Sequence, residues 1–231
     1  GNALNITIAS YAGTLNLDNA AQSVGAFSGT AGLVNLATGH TLTVNQNTNT
    51  TFAGTLTGSG ASLVKTGTGT LTLSGAANTV GALALAAGTL SVGGTSTLNT
   101  AAISASAGAT LTIASGGMVV ADYASGTTTF SGALAGAGEF QKTGAGTLVF
   151  DQTFSAPGLT LTLAGGTLAL SGGAQITLGT LHFTGNTILD FNNSAGTFLS
   201  SAALVIDVGV NRIADPTAKN PAPTGPTRCR R

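Results

Sequence analysis

Short runs in which apolar and polar side chains alternate recur along this chain: T-L-N-L at Thr14 to Leu17, T-L-T-V at Thr41 to Val44, T-L-T-L at Thr70 to Leu73, T-L-T-I at Thr110 to Ile113. L-T-L at Leu161 to Leu163 and L-H-F at Leu181 to Phe183 continue them. Alternation at every second position puts the apolar side chains on one face of a strand and threonine on the other. Threonine suits the outer face, being β-branched and able to hydrogen-bond to water. Helical periodicity is nearly absent; Ala101 to Ala107, rich in alanine, reads as loop or strand because of its Ile and Ser. From Leu71 to Ile113 the apolar positions Leu71/Leu73, Leu83/Leu85, Leu90/Val92, Leu98, Ile103 and Leu111/Ile113 follow one another at short intervals. Glycines occupy the gaps, where sharp corners need a residue that accepts positive φ.

Regular short strands with glycine corners fit a sandwich, a barrel or a solenoid. A long internal repeat decides among them. L-V-K-T-G-T-G-T-L-T-L-S-G, Leu63 to Gly75, returns as F-Q-K-T-G-A-G-T-L-V-F-D, Phe140 to Asp151. The lead-in T-F-A-G-T-L-T-G-S-G (Thr51 to Gly60) returns as T-F-S-G-A-L-A-G-A-G (Thr129 to Gly138). Phe52 thus answers to Phe130, Gly58 to Gly136 and, after one position is lost, Lys65 to Lys142. Aromatic residues are only 5% of the chain, which suits a narrow interior of stacked Leu, Val and Ala. The expected fold is an all-β solenoid with glycine-rich corners, whose interior includes Leu71, Leu73, Leu83, Leu85, Leu90, Leu148, Phe150, Leu161, Leu163 and Leu168.

Charged residues are only 6% of the 231, while glycine supplies 35 and threonine 39. A hydrophobic fraction of 42% with zero net charge argues against a disordered chain. The charge is unevenly placed: five of the seven basic residues, and four of the five prolines, follow Asp207. Two units are therefore expected, a repeat body over 1–207 and a disordered basic, proline-rich tail over 208–231. Cys229 is the only cysteine, so no intrachain disulfide forms. No signal-peptide pattern opens the sequence and no apolar run reaches the roughly 20 residues of a membrane helix. Export signals lie outside this stretch, or the protein is cytosolic.

The block Ala21 to Val92 resembles the autotransporter-associated β-strand repeat of bacterial surface proteins. The features that carry the likeness are A-Q-S-V-G-A-F-S-G, G-H-T-L-T-V, T-F-A-G-T-L-T-G-S-G, the K-T-G-x-G-T-L core and a following G-T-L. The second copy, Thr129 to Leu170, keeps F-S-G, K-T-G-A-G-T-L and G-G-T-L. The resemblance spans most of residues 10–190. It implies a right-handed parallel β-helix (β-solenoid) exported to the cell surface, and because the repeat is structural it brings no catalytic residues. Ala174 to Asp207 resembles the end region of relatives that carry a C-terminal sorting signal.

Few side chains offer chemistry against this background. Asp18, Asp122, Glu139, Asp151, Asp190 and Asp207 are scattered; of these, stacking would best unite Asp122 with Glu139 for acid/base work on a polysaccharide, and otherwise they are solvated surface acids. His40 and His182 have no nearby acid, and His182, between Leu181 and Phe183, should face outward. One cysteine and two distant histidines give no metal cluster, and Gly67/Gly69 and Gly144/Gly146 lack the remaining features of a nucleotide loop. Lys65 and Lys142 could bind an anionic glycan, but the preferred reading is an outward gatekeeper that discourages edge pairing between molecules. The pairs Thr41/Thr43, Thr55/Thr57, Thr70/Thr72, Thr110/Thr112 and Thr160/Thr162 raise ice binding, though their spacing in sequence is irregular. Arg228, Arg230 and Arg231 lack the aromatic platform of a nucleic-acid site. The expectation is therefore a monomeric, non-catalytic stalk or adhesin-like passenger, extracellular and outer-membrane-associated, with no catalytic, cofactor or metal residues and no nucleic-acid partner. Its partners would be glycans or proteins of a host or matrix. The alternatives are a polysaccharide-active β-helix and an ice-binding solenoid.

Overall fold

A computed structural model describes residues 4–8, 13–191, 198–206 and 212–214. All regular structure among them is β-strand, and every pairing is parallel. The chain winds into a solenoid of about nine coils with three sides. One coil carries the chain from Thr70 to its partner Thr89, and a later one from Thr110 to Ala133.

The first side stacks Thr41–Asn45, Ser62–Thr66, residues 82–85 and residues 102–105, then Thr127–Phe130, Thr147–Phe150, Gly166–Leu170 and Thr187–Asp190. The second stacks Thr50–Phe52, Thr70–Leu73, Thr89–Val92, Thr110–Ile113 and Ala133–Gly136. The third runs from Thr14–Leu17 through Leu33–Leu36 and Thr55–Thr57, and later through residues 97–100, Met118–Asp122, Glu139–Thr143 and residues 160–163. Alternation sets the phase on each side: in Thr70–Leu73 both leucines are fully buried and both threonines partly exposed.

All ten residues expected inside are buried. Like side chains stack on like through the coils, as Leu71 on Leu90 on Leu111 and Leu148 on Leu168. Buried phenylalanines pack in pairs, with ring centroids 4.5 Å apart for Phe27 and Phe52 and 5.7 Å for Phe130 and Phe150. The alanine-rich stretch is strand, within Thr97–Ala105. Among the described residues no helix is long and apolar enough to cross a membrane.

The sequence repeat and the coil do not coincide. Lys65 lies in a strand of the first side, while Lys142 lies in one of the third. Phe52 likewise belongs to the second side and Phe130 to the first. The second copy of the repeat is therefore turned about the solenoid axis by one side. What recurs from copy to copy is a strand–corner–strand unit, and more than one side accepts it. Arg212–Ala214 pairs with Ile188–Asp190, beyond the expected boundary at 208. Asp207, Arg228, Arg230, Arg231 and Cys229, and with them most of the expected tail, lie outside the described residues.

Candidate functional site

The K-T-G-x-G corners hold the most unusual chemistry of the structure. The lysines do not face outward: Lys65 and Lys142 are fully buried, among the largest enclosed side chains. This overturns the gatekeeper expectation, and strand phase is the reason. Lys65 stands two positions after Leu63, and Lys142 two after Phe140, so each shares the inward face of its apolar neighbour. The stem of Lys65 falls in a column with Val44 and Leu85, and that of Lys142 with Ala121 and Leu163.

At the corner each amine turns to the backbone. Lys65 Nζ donates to the carbonyls of Thr66 at 2.7 Å and Gly67 at 3.0 Å. Lys142 Nζ donates to Thr143 at 3.3 Å, Gly144 at 3.2 Å and, one coil on, Gly165 at 2.7 Å. The Thr66 carbonyl also accepts the Gln46 N–H at 3.3 Å, so its bond from the amine is a second one. A buried carbonyl short of donors is costly, and at the turn the amines supply them. The Lys142 amine also lies 5.6 Å from the centre of the Tyr123 ring. Burial lowers the pKa of both lysines; that of Lys142 falls to about 8, against the opposing pull of the Asp122 carboxylate.

Beneath each lysine corner lies a second polar side chain that the sequence alone did not single out, Gln46 under Lys65 and Tyr123 under Lys142. Gln46 Nε2 donates to Thr70 O at 2.7 Å and Thr48 O at 3.2 Å, and its Oε1 accepts from Thr50 Oγ1 at 3.0 Å. The Tyr123 hydroxyl donates to Ile103 O at 3.0 Å, and burial raises its pKa. The backbone repeats too: Gly69 N–H donates to Gln46 O at 3.0 Å, and Gly146 N–H to Tyr123 O at 2.7 Å. Gly67 (φ 73°) and Gly144 (φ 71°) turn the chain here. A Cβ on either would run into the carbonyl of the coil beneath, Gln46 or Tyr123. Asn78 and Thr100 serve other corners in the same way, Asn78 Nδ2 donating to Gly75 O at 3.1 Å and Thr100 Oγ1 to Gly81 O at 3.1 Å.

The acids do not converge. Asp122 lies opposite Thr143, and Glu139 opposite Met118, so the two carboxylates sit at opposite ends of their paired strands, about 13 Å apart along the strand direction. Each is engaged by a threonine instead: Thr143 Oγ1 donates to Asp122 Oδ1 at 3.1 Å, and Thr162 Oγ1 to Glu139 Oε1 at 2.6 Å. Asp151 accepts from Ser131 Oγ at 3.0 Å through one oxygen, leaving the buried Oδ1 without a partner. His40 Nδ1 sits 3.3 Å from the Leu17 carbonyl oxygen, and His182 takes the outward phase between buried Leu181 and Phe183. Among the described residues no group of three or more His, Cys, Asp or Glu could hold a metal.

The surface depressions are grooves rather than enclosed pockets. One of about 260 Å³ runs over the first side across Val64, Ala82, Ala84 and Ala102. Another of about 240 Å³, at the corner between the third and first sides, has Asp122 as its one charged lining residue. The threonine pairs fall on different sides: Thr41/Thr43 on the first, Thr70/Thr72 and Thr110/Thr112 on the second, and Thr55/Thr57 and Thr160/Thr162 on the third.

These features define the chain as a parallel β-solenoid repeat protein whose interior polar groups serve its own corners. Comparison with protein families, curated proteins and solved structures finds no match.

Proposed function

We propose that this chain is a non-catalytic structural passenger, a stalk or adhesin-like segment of a secreted or surface-attached bacterial protein related to the autotransporter β-strand repeats. One observation carries the reading: the buried polar groups Lys65, Lys142, Gln46, Asn78 and Thr100 all bond to backbone groups at or beside the solenoid's own corners. An enzyme typically holds some of its perturbed or buried ionisable groups toward a cleft where a substrate sits. Here that chemistry goes into holding the shape, and Asp122 and Glu139 are spread apart and each paired with a threonine. An extracellular setting accords with rigidity drawn from backbone ladders and glycine corners, and its partners would be surface or matrix glycans and proteins.

Two measurements test this. Incubation with acidic and neutral polysaccharides should release no reducing ends or unsaturated products. Release that Asp122→Asn or Glu139→Gln abolishes would establish the polysaccharide-enzyme alternative instead. In cells producing the full-length protein, external protease should remove the solenoid epitope from intact cells; an epitope confined to the cytosolic fraction would contradict surface attachment.

A further inference from the structure

The second side carries a feature that the stalk reading does not use. Thr70, Thr89 and Thr110 stand in register on three successive coils, and Thr72, Ser91 and Thr112 stand in register beside them. All six are outward and partly exposed. No register shift interrupts these pairings, so the patch is a net with two periods. Coils stand about 4.8 Å apart, and alternate positions along a strand about 6.7 Å apart.

The hydroxyls of this net are unspent. Among the described residues, none of the six makes a hydrogen bond to the protein through its hydroxyl. The third side behaves differently. There Asn35 Nδ2 donates to Asn16 Oδ1 at 3.2 Å, Thr57 Oγ1 to Asn35 Oδ1 at 3.2 Å, and Thr162 to Glu139. The first side has a threonine row, Thr127 on Thr147 on Thr167, but its neighbouring row reads Thr129, Val149 and Ala169. It therefore repeats its hydroxyls in one direction only.

An uncharged, in-register net of hydroxyls and methyls constrains water twice over. Each hydroxyl fixes the orientation of a bound water, and each methyl restricts its neighbours without binding them. Because the net repeats in both directions, the water it holds forms a two-dimensional lattice, with periods close to those of oxygens on a prism face of ice. We infer that the Thr70–Thr89–Thr110 patch is an ice-adsorbing face, its ligand the ordered water lattice itself.

Nanolitre osmometry on the whole chain tests this, with albumin at equal concentration as the reference. The wild-type protein should facet growing ice crystals and open a gap between melting and freezing. Thr89→Lys and Thr112→Lys, each placing a charged chain in the net, should abolish both effects while keeping the wild-type melting curve. Thr147→Lys, on the first side, should leave them in place. Round, unfaceted crystals with wild-type protein would overturn the inference. So would faceting that survives both second-side substitutions, or faceting lost with Thr147→Lys alone.

Discussion

Lys142 Nζ donates to the Gly165 carbonyl 2.7 Å away, one coil beyond its own corner, so that a single buried amine ties two successive coils together. Lys65 occupies the equivalent place in the first repeat copy and holds only the carbonyls of its own corner, Thr66 and Gly67. The difference separates a brace within a coil from a brace between coils.

Replacing either lysine with methionine keeps much of the buried stem and removes the donors. Lys142→Met removes three donated bonds, the one to Gly165 in the next coil included, and should destabilise by about 2–4 kcal/mol. Lys65→Met should cost less, since it removes two and the Thr66 carbonyl keeps the Gln46 N–H. Urea denaturation followed by circular dichroism measures both. Equal losses would contradict the bridging role of Lys142.

Stability should also depend on pH in alkaline solution. The folded-state pKa of Lys142 is about 8, below its ordinary 10.5, so between these values the unfolded chain binds more protons and stability rises with pH. Tyr123 acts in the opposite sense: burial raises its pKa, so above its ordinary 10.0 the unfolded chain loses the phenol proton first and stability falls. The urea midpoint should therefore climb from about pH 8 towards pH 10 and then turn down. In Lys142→Met the climb should shrink, leaving only the part due to Lys65.

The corner glycines should differ in what they tolerate. Gly67→Ala meets both a positive φ and the Gln46 carbonyl, whereas Gly39→Ala meets a positive φ of 79° with nothing within 4 Å. Gly39→Ala should cost about 1–2 kcal/mol from the left-handed backbone alone. Gly67→Ala should cost clearly more, since backbone must shift, and thermal melts of the two variants give the order.

In the core, Leu71 lies on Leu90 with no exposed surface. Leu71→Ala should cost about 2–5 kcal/mol. Leu71→Asp should be more severe, because it leaves an unpaired charge in a dry stack. An unchanged thermal midpoint for Leu71→Asp would be incompatible with the stacking described.

Much of this was legible in the sequence because alternation and glycine spacing are local signals. Leu71, Leu83 and Leu161 reveal their faces through their immediate neighbours. The lysines carried the same signal, since Lys65 is in phase with Leu63 and Lys142 with Phe140. Their charge argued for the surface, and the corner carbonyls that reward burial are invisible in a linear sequence. Asp122 and Glu139 were the acids that stacking could best unite, since coils bring distant residues together, with solvated surface acids as the preferred reading. A coil carries Asp122 to Thr143 and Met118 to Glu139, so the two acids fall short of a full turn and are displaced along the strands. The threonine pairs looked irregular for a related reason. Coils of unequal length absorb the irregularity that brings Thr70, Thr89 and Thr110 into line.

Amine-reactive labelling with mass spectrometry tests the burial of the two motif lysines most directly. In the native protein Lys65 and Lys142 should stay unmodified under conditions that label both fully once the chain is unfolded in denaturant. Labelling of either lysine in the native state at the rate seen in the unfolded chain would place it outside the solenoid and contradict the internal brace.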